Sequence, residues 1–209
     1  MQTVQSAQFG RPDDTLSSTD WFVVNQGGDT EYWQAVDEVT PNSDTDYVNS
    51  SVDESEIQFN LTDVTDPGVN TSHIMRMTAI AAKYGGGPEK LFFHLYQGVT
   101  VIASSVKTSI DRTAYTTYTY TLTDAEAESI TDYTDLHIHV HVDAVSAGEE
   151  IRVTQAELEV PDVVGNPPTI ENMSIDDATV SPLGEIDLSP GATRQVNCTG
   201  TNQFSVAIG

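Results

Sequence analysis

This sequence predicts an all-β chain: an antiparallel two-sheet β-sandwich, a jelly roll, with one short helix and a small C-terminal β segment. Three observations predict it. Apolar and polar residues alternate with a period of two along most of the chain, and helical periodicity is almost absent. Breaker stretches such as Gly85-Gly86-Gly87-Pro88 and Ser146-Ala147-Gly148 punctuate the alternating runs. The stretch from Tyr115 to Leu122 is built of Tyr and Thr, which suit a pleated, half-buried surface.

The elements follow in order. Glu56 to Leu61 alternates cleanly. Ser72 to Tyr84 places Ile74, Arg76, Thr78 and Ile80 on one face and His73, Met75, Met77 and Ala79 on the other. Leu91 to Tyr96, the turn pair Gln97-Gly98, and Val99 to Val106 form a hairpin. Leu136 to Val142 and Ile151 to Val160 supply two more strands. Thr123-Asp124-Ala125-Glu126 is a capping box, in which Thr and Glu satisfy each other's backbone amides, and it starts the one helix.

Residues 1–161 form the sandwich. Residues 162–168 are a Pro-rich linker, because proline stiffens the chain and removes ladder donors. Residues 169–209 resume a β pattern at Thr169 to Ile175, Glu185 to Leu188, Thr193 to Thr199 and Phe204 to Ile208. About forty residues make a marginal core, so this segment is expected to serve assembly.

Charge sets the environment. Eight Lys and Arg stand against 32 Asp and Glu, a formal charge of −24. Such a surface repels polyanions, so nucleic acid and anionic membranes are excluded as partners. Only 19 % of residues are charged and 38 % are hydrophobic, which is enough for a core. The acidic residues are interspersed with Thr, Ser, Asn and Gly, as expected of a halophilic source, where salt screens self-repulsion. The single Cys198 leaves no disulfide framework. No apolar stretch approaches the roughly 18 residues of a membrane helix, and the first residues lack the marks of a secretory signal. Asn49, Asn60, Asn70, Asn172 and Asn197 begin glycosylation sequons of the kind that arise by chance in such a composition.

Several segments resemble a β-sandwich domain of tailed-virus virion proteins. They are Arg11-Pro12-Asp13 leading to Asp20-Trp21, Ala35-Val36-Asp37-Glu38 with Pro41, and Asp44-Thr45-Asp46-Tyr47. Later come Leu95-Tyr96-Gln97-Gly98, Ile130 to Leu136, and Ala156 to Pro161. The segment from Pro167 resembles the start of immunoglobulin-like domains of archaeal and phage surface proteins. The resemblance implies a jelly-roll module similar in shape to carbohydrate-binding modules and attached to viral or surface structures. It supplies no catalytic residue.

Candidate sites come from spacing. His137, His139 and His141 share one strand face about 7 Å apart, a pattern for Zn²⁺, Ni²⁺ or Cu²⁺ if the rings converge or Asp143 joins them, and otherwise a polar outer face. Asp13, Asp14, Asp37, Asp44 and Asp46 offer hard oxygen ligands for a structural Ca²⁺ or Mg²⁺. Trp21, Trp33 and Tyr118 are candidates for a sugar-stacking platform, with core packing as the alternative.

No Ser lies in a nucleophile elbow, and Gly85 to Gly87 lacks the Lys and Ser of a phosphate loop, so no enzyme is expected. The expected function is that of a virion structural protein of a tailed virus of a halophilic host: a capsid decoration, turret or tail component. It would be made in the host cytoplasm and act at the virion surface as a homo-oligomer, a trimer or pentamer, with other virion proteins and host-surface glycans as partners. The alternative is a carbohydrate-binding, adhesive surface module without catalysis.

Overall fold

In the computed structural model, the described residues are 7–25, 30–41, 44–83 and 89–162, together with the strands Arg194–Val196 and Phe204–Val206. The chain divides into two units, Met1–Val164 and Gly165–Gly209. In the first unit the strands are β1 (Ala7–Gly10), β2 (Pro12–Thr19), β3 (Phe22–Asn25), β4 (Asp46–Ser50), β5 (Glu56–Leu61) and β6 (Ile74–Lys83). They continue as β7 (Lys90–Gln97), β8 (Thr100–Ser104), β9 (Thr108–Ser109), β10 (Thr116–Thr121), β11 (Leu136–Ala144) and β12 (Glu149–Pro161). Helix α1 spans Asp124–Glu128.

Two six-stranded antiparallel sheets make the sandwich. The first runs β10-β6-β12-β4-β3 with β1 also on β12, and the second runs β2-β5-β11-β7-β8 with β9 also on β7. From β4 to β7 the chain changes sheet at every strand, and it does so again from β10 to β12, which is the jelly-roll pattern expected from the sequence. Alternation puts Ile57, Phe59 and Leu61 of β5, Leu91, Phe93 and Leu95 of β7, and Ile138, Val140 and Val142 of β11 into the core. They meet Met75, Met77, Ala79 and Ala81 of β6 and Ile151, Val153, Ala156, Leu158 and Val160 of β12.

Along β12 the inward residues pass from odd to even numbers. A bulge between Val153 and Gln155 makes the change, since one extra residue flips every side chain that follows. Before the bulge β12 pairs with β4, and after it with β1. Between the two partners the Ala156 amide donates to the Val36 carbonyl at 3.0 Å.

The expected hairpin is present, and Gly98 turns it with φ of 54°. The capping box also forms: the Thr123 amide donates to Glu126 Oε2 at 2.7 Å, and the Glu126 amide to Thr123 Oγ1 at 3.3 Å. Twelve strands lie within the described part of 7–161, against the eight or so expected. The additional ones, including β1 and β2, are short or edge strands without alternation.

In the second unit the strands β13 (Arg194–Val196) and β14 (Phe204–Val206) pair antiparallel. The strands expected over 169–175 and 185–188, Cys198, Asn172, Asn197 and the linker beyond Asp162 lie outside the described residues.

Candidate functional site

The outward face of the second sheet is where chemistry-bearing side chains gather. With Leu136, Ile138, Val140 and Val142 turned inward, β11 turns His137, His139 and His141 outward. The register then builds three rows across the strands: Asn60–His137–Tyr96, Gln58–His139–His94 and Glu56–His141–Phe92. Four of the chain's five histidines are thus in one patch. His94, contributed by β7, is the member that sequence spacing missed. Its place in the alternation of β7 was visible, but its pairing with His139 is a matter of register between distant strands.

The rings pack closely. Tyr96 stacks on His137 with centroids 5.1 Å apart and planes 12° apart, and Phe92 stacks on His141 at 4.4 Å and 20°. His94 stands edge-to-face with Phe92 at 4.8 Å and tilted against His139 at 5.8 Å. Its Nδ1 is 2.7 Å from the Ser104 hydroxyl on β8. The central His137 and His139 are each 7 % exposed, while the residues of both flanking strands stay half-buried, so the flanking side chains rise over the central imidazoles.

Carboxylates line one end of the patch. His141 Nε2 is 2.9 Å from Glu54 and its Nδ1 is 3.2 Å from Glu56. His139 Nε2 is 3.4 Å from Glu56, without hydrogen-bond alignment, so both His139 nitrogens are buried and unbonded. Burial holds His94, His137 and His139 below the ordinary imidazole range, and neighbouring imidazoles push the same way. Glu56 opposes the shift at His94 and His139, and Asp135 opposes it at His137. Neutral imidazoles each present one donor and one acceptor nitrogen.

Among the described residues, no group of three His, Cys, Asp or Glu side chains is arranged to hold a metal ion. The rings of His137, His139 and His141 share a face, as expected, yet spend their surfaces on aromatic neighbours. The acidic candidates are dispersed. Asp13 accepts from Asn60 Nδ2 at 2.9 Å, and Asp14 accepts from the Thr15 amide at 2.8 Å, both on β2 of the second sheet. Asp44 accepts from Arg152 and Tyr115 beside the first sheet, where Asp46 opens β4, and Asp37 follows the short 3-10 turn Trp33–Ala35.

Of the stacking-platform candidates, Trp21 is corrected by burial, and core packing, the alternative, holds for it. Trp21 is 2 % exposed within the core. Trp33 packs against the core from the 3-10 turn, and Tyr118 packs against it from β10 while its hydroxyl accepts from the Asp111 amide at 2.6 Å. Large aromatic surfaces gain by leaving water, completely for Trp21 and in part for Trp33 and Tyr118, which stay half-buried.

No known protein family model matches the chain, and no curated protein matches it. Among solved structures it is similar to a xylan-binding module, CBM15, at TM-score 0.45 and 11 % identity, covering 76 % of this chain and 99 % of that one. It is also similar to an arabinose-bound α-L-arabinofuranosidase, MgGH51, at TM-score 0.44 and 15 % identity, covering 72 % and 25 %. A third is the CBM22-1 xylan-binding domain of Paenibacillus barcinonensis Xyn10C, at TM-score 0.41 and 11 % identity, covering 73 % and 98 %. Likeness at this level carries nothing about ligand or activity to this chain.

Proposed function

We propose that the sandwich is a non-catalytic carbohydrate-binding module that holds glycan on the outward face of its second sheet. One observation carries this. The accessible groups of the ring patch, the Tyr96 hydroxyl, the His94 ring nitrogen that Ser104 leaves free and the amide of Gln58, together offer hydrogen-bond donors and acceptors, and they lie on one sheet face. A sugar hydroxyl has the same dual character. The formal −24 charge and the rim carboxylates Glu54 and Glu56 disfavour polyanions at the same place. In the setting that the sequence resemblance implies, a tailed-virus particle in salt, the same face would attach to a host-surface glycan.

The test is binding to a panel of immobilised polysaccharides (xylan, mixed-linkage β-glucan, galactomannan, cellulose, chitin and an acidic pectin) in molar salt. The folded protein is expected to bind at least one uncharged polymer, and His94→Ala and Tyr96→Leu are each expected to weaken binding tenfold or more. Failure of the folded protein to bind any panel member, or binding indifferent to both substitutions, overturns the proposal.

A further inference from the structure

Resting on that function, we infer that the face takes single hydrated glycan chains edge-on, by hydrogen bonds from the rims of its rings, and does not stack sugars on aromatic faces. The rings have no free broad face to offer. Tyr96 lies parallel to His137 on one side, and on the other its cross-strand neighbour is Val101 of β8. Phe92 lies parallel to His141 and has Lys107 Nζ over its ring at 5.5 Å. His94 is set edge-to-face with both Phe92 and Tyr96, at 87° and 80°. Stacking needs an open π-face, and each of these faces already has an occupant or a neighbour beside it. Trp21 belongs to the core, and Trp33 and Tyr118 are half-buried against it, none of them in the ring patch.

What remains outward is edges. Among the described residues the Tyr96 hydroxyl has no hydrogen-bond partner, and His94 is held only through Nδ1, by Ser104, leaving Nε2 unbonded. The rows repeat about every 6.8 Å along the strands and about every 4.8 Å across them, so the polar rims form a lattice that meets several sugars at once. Hydroxyls of a chain in solution are free to engage such a lattice. A crystalline polysaccharide spends most of its hydroxyls on its own chains and presents flat ring surfaces, which this patch cannot match.

Substitution at Tyr96 separates edge from face recognition whatever the polymer. Tyr96→Phe keeps the ring and removes the hydroxyl, and at a half-buried position it preserves the fold, which its melting temperature verifies. With the polysaccharide that binds the wild-type protein, calorimetry is expected to show affinity falling about tenfold for Tyr96→Phe, close to the loss for Tyr96→Leu. Cellulose and chitin, each tested as crystals and as soluble oligosaccharides, provide the second arm, with crystals expected to retain no protein. Wild-type affinity in Tyr96→Phe alongside loss in Tyr96→Leu, or retention on crystals, overturns edge-on recognition and leaves the glycan-binding function standing. No binding to any polymer in any form removes the function itself, and the edge-on inference with it.

Discussion

His94 and His139 face each other across β7 and β11 with ring centroids 5.8 Å apart, one anchored by the Ser104 hydroxyl and the other with both ring nitrogens buried and unbonded. The pair couples the proposed binding face to acidity, because burial holds both imidazoles below the ordinary range and His139 further disfavours charge on His94.

Acid should therefore destabilise the sandwich through these rings. His73, His137 and His139 are buried, and burial pushes each below the ordinary value of about 6.5. Unfolded chains take up protons from about pH 6.5 downward while the folded chain does not. The stability these groups supply is complete above that pH and is lost as pH falls through their lowered folded values. Melting temperatures measured at constant salt from pH 7.5 to 5.5 are expected to start falling near pH 6.5, with a shallower fall in His139→Gln. A flat profile over that range would refute the assignment.

Glu157 anchors the N-terminal strand. Its carboxylate is nearly buried, with 7 % side-chain exposure, and receives Arg11 at 3.0 Å and Arg76 at 3.4 Å, while Arg76 also pairs with Glu159. Glu157→Ala leaves two guanidinium groups without their shared partner, and the loss in urea unfolding should be about 3 kcal/mol. Arg76→Ala, which leaves the Arg11 bond in place, should cost clearly less. Equal losses would argue against a shared anchor.

Gly98 is required by two independent features. Its φ of 54° is disfavoured for residues with a side chain, and a Cβ there would stand 3.0 Å from Asp135 Oδ2. Gly98→Ala should lower stability by about 1 kcal/mol or more, as read by chemical denaturation. Gly148, whose φ is also positive but whose surroundings are open, should show the conformational part alone. The smaller effect belongs to Gly148→Ala.

Thr123 closes the helix start through the reciprocal bonds with Glu126. Thr123→Ala is expected to cost about 1 kcal/mol, and Thr123→Asn to restore most of it. A Thr123→Ala protein as stable as wild type would show that packing of Ala127 and Ile130 holds the helix without its cap.

The central strands were legible in the sequence because one face of each is buried: Phe59, Phe93 and Val140 fall at every second position, and nothing but a strand explains them. β2 was not legible. Its sequence Pro12-Asp13-Asp14-Thr15-Leu16-Ser17-Ser18-Thr19 lies at a sheet edge with most side chains exposed, and it is held by pairing to β5 through two register shifts. The His137, His139 and His141 row was visible for the same reason as the core, since its partners in alternation are apolar. Its neighbours were not, because Tyr96 and His94 reach it by register, which no local pattern encodes. The tryptophans were open to both readings: residue type alone does not say which side of a sheet an aromatic takes, and Trp21 lies outside the strands altogether.

Ala7 and Pro161 lie directly opposite each other in the β1–β12 ladder, so the chain enters and leaves the sandwich at one point on its perimeter. A mechanical load that separates those two points acts on the ladder from its end and peels β1 away one pair at a time. Shear across all its bonds together never arises. Under tension the fold should thus yield first by shedding its N-terminal strand, with the remaining strands of both sheets, and the ring-lined face among them, still folded around their core.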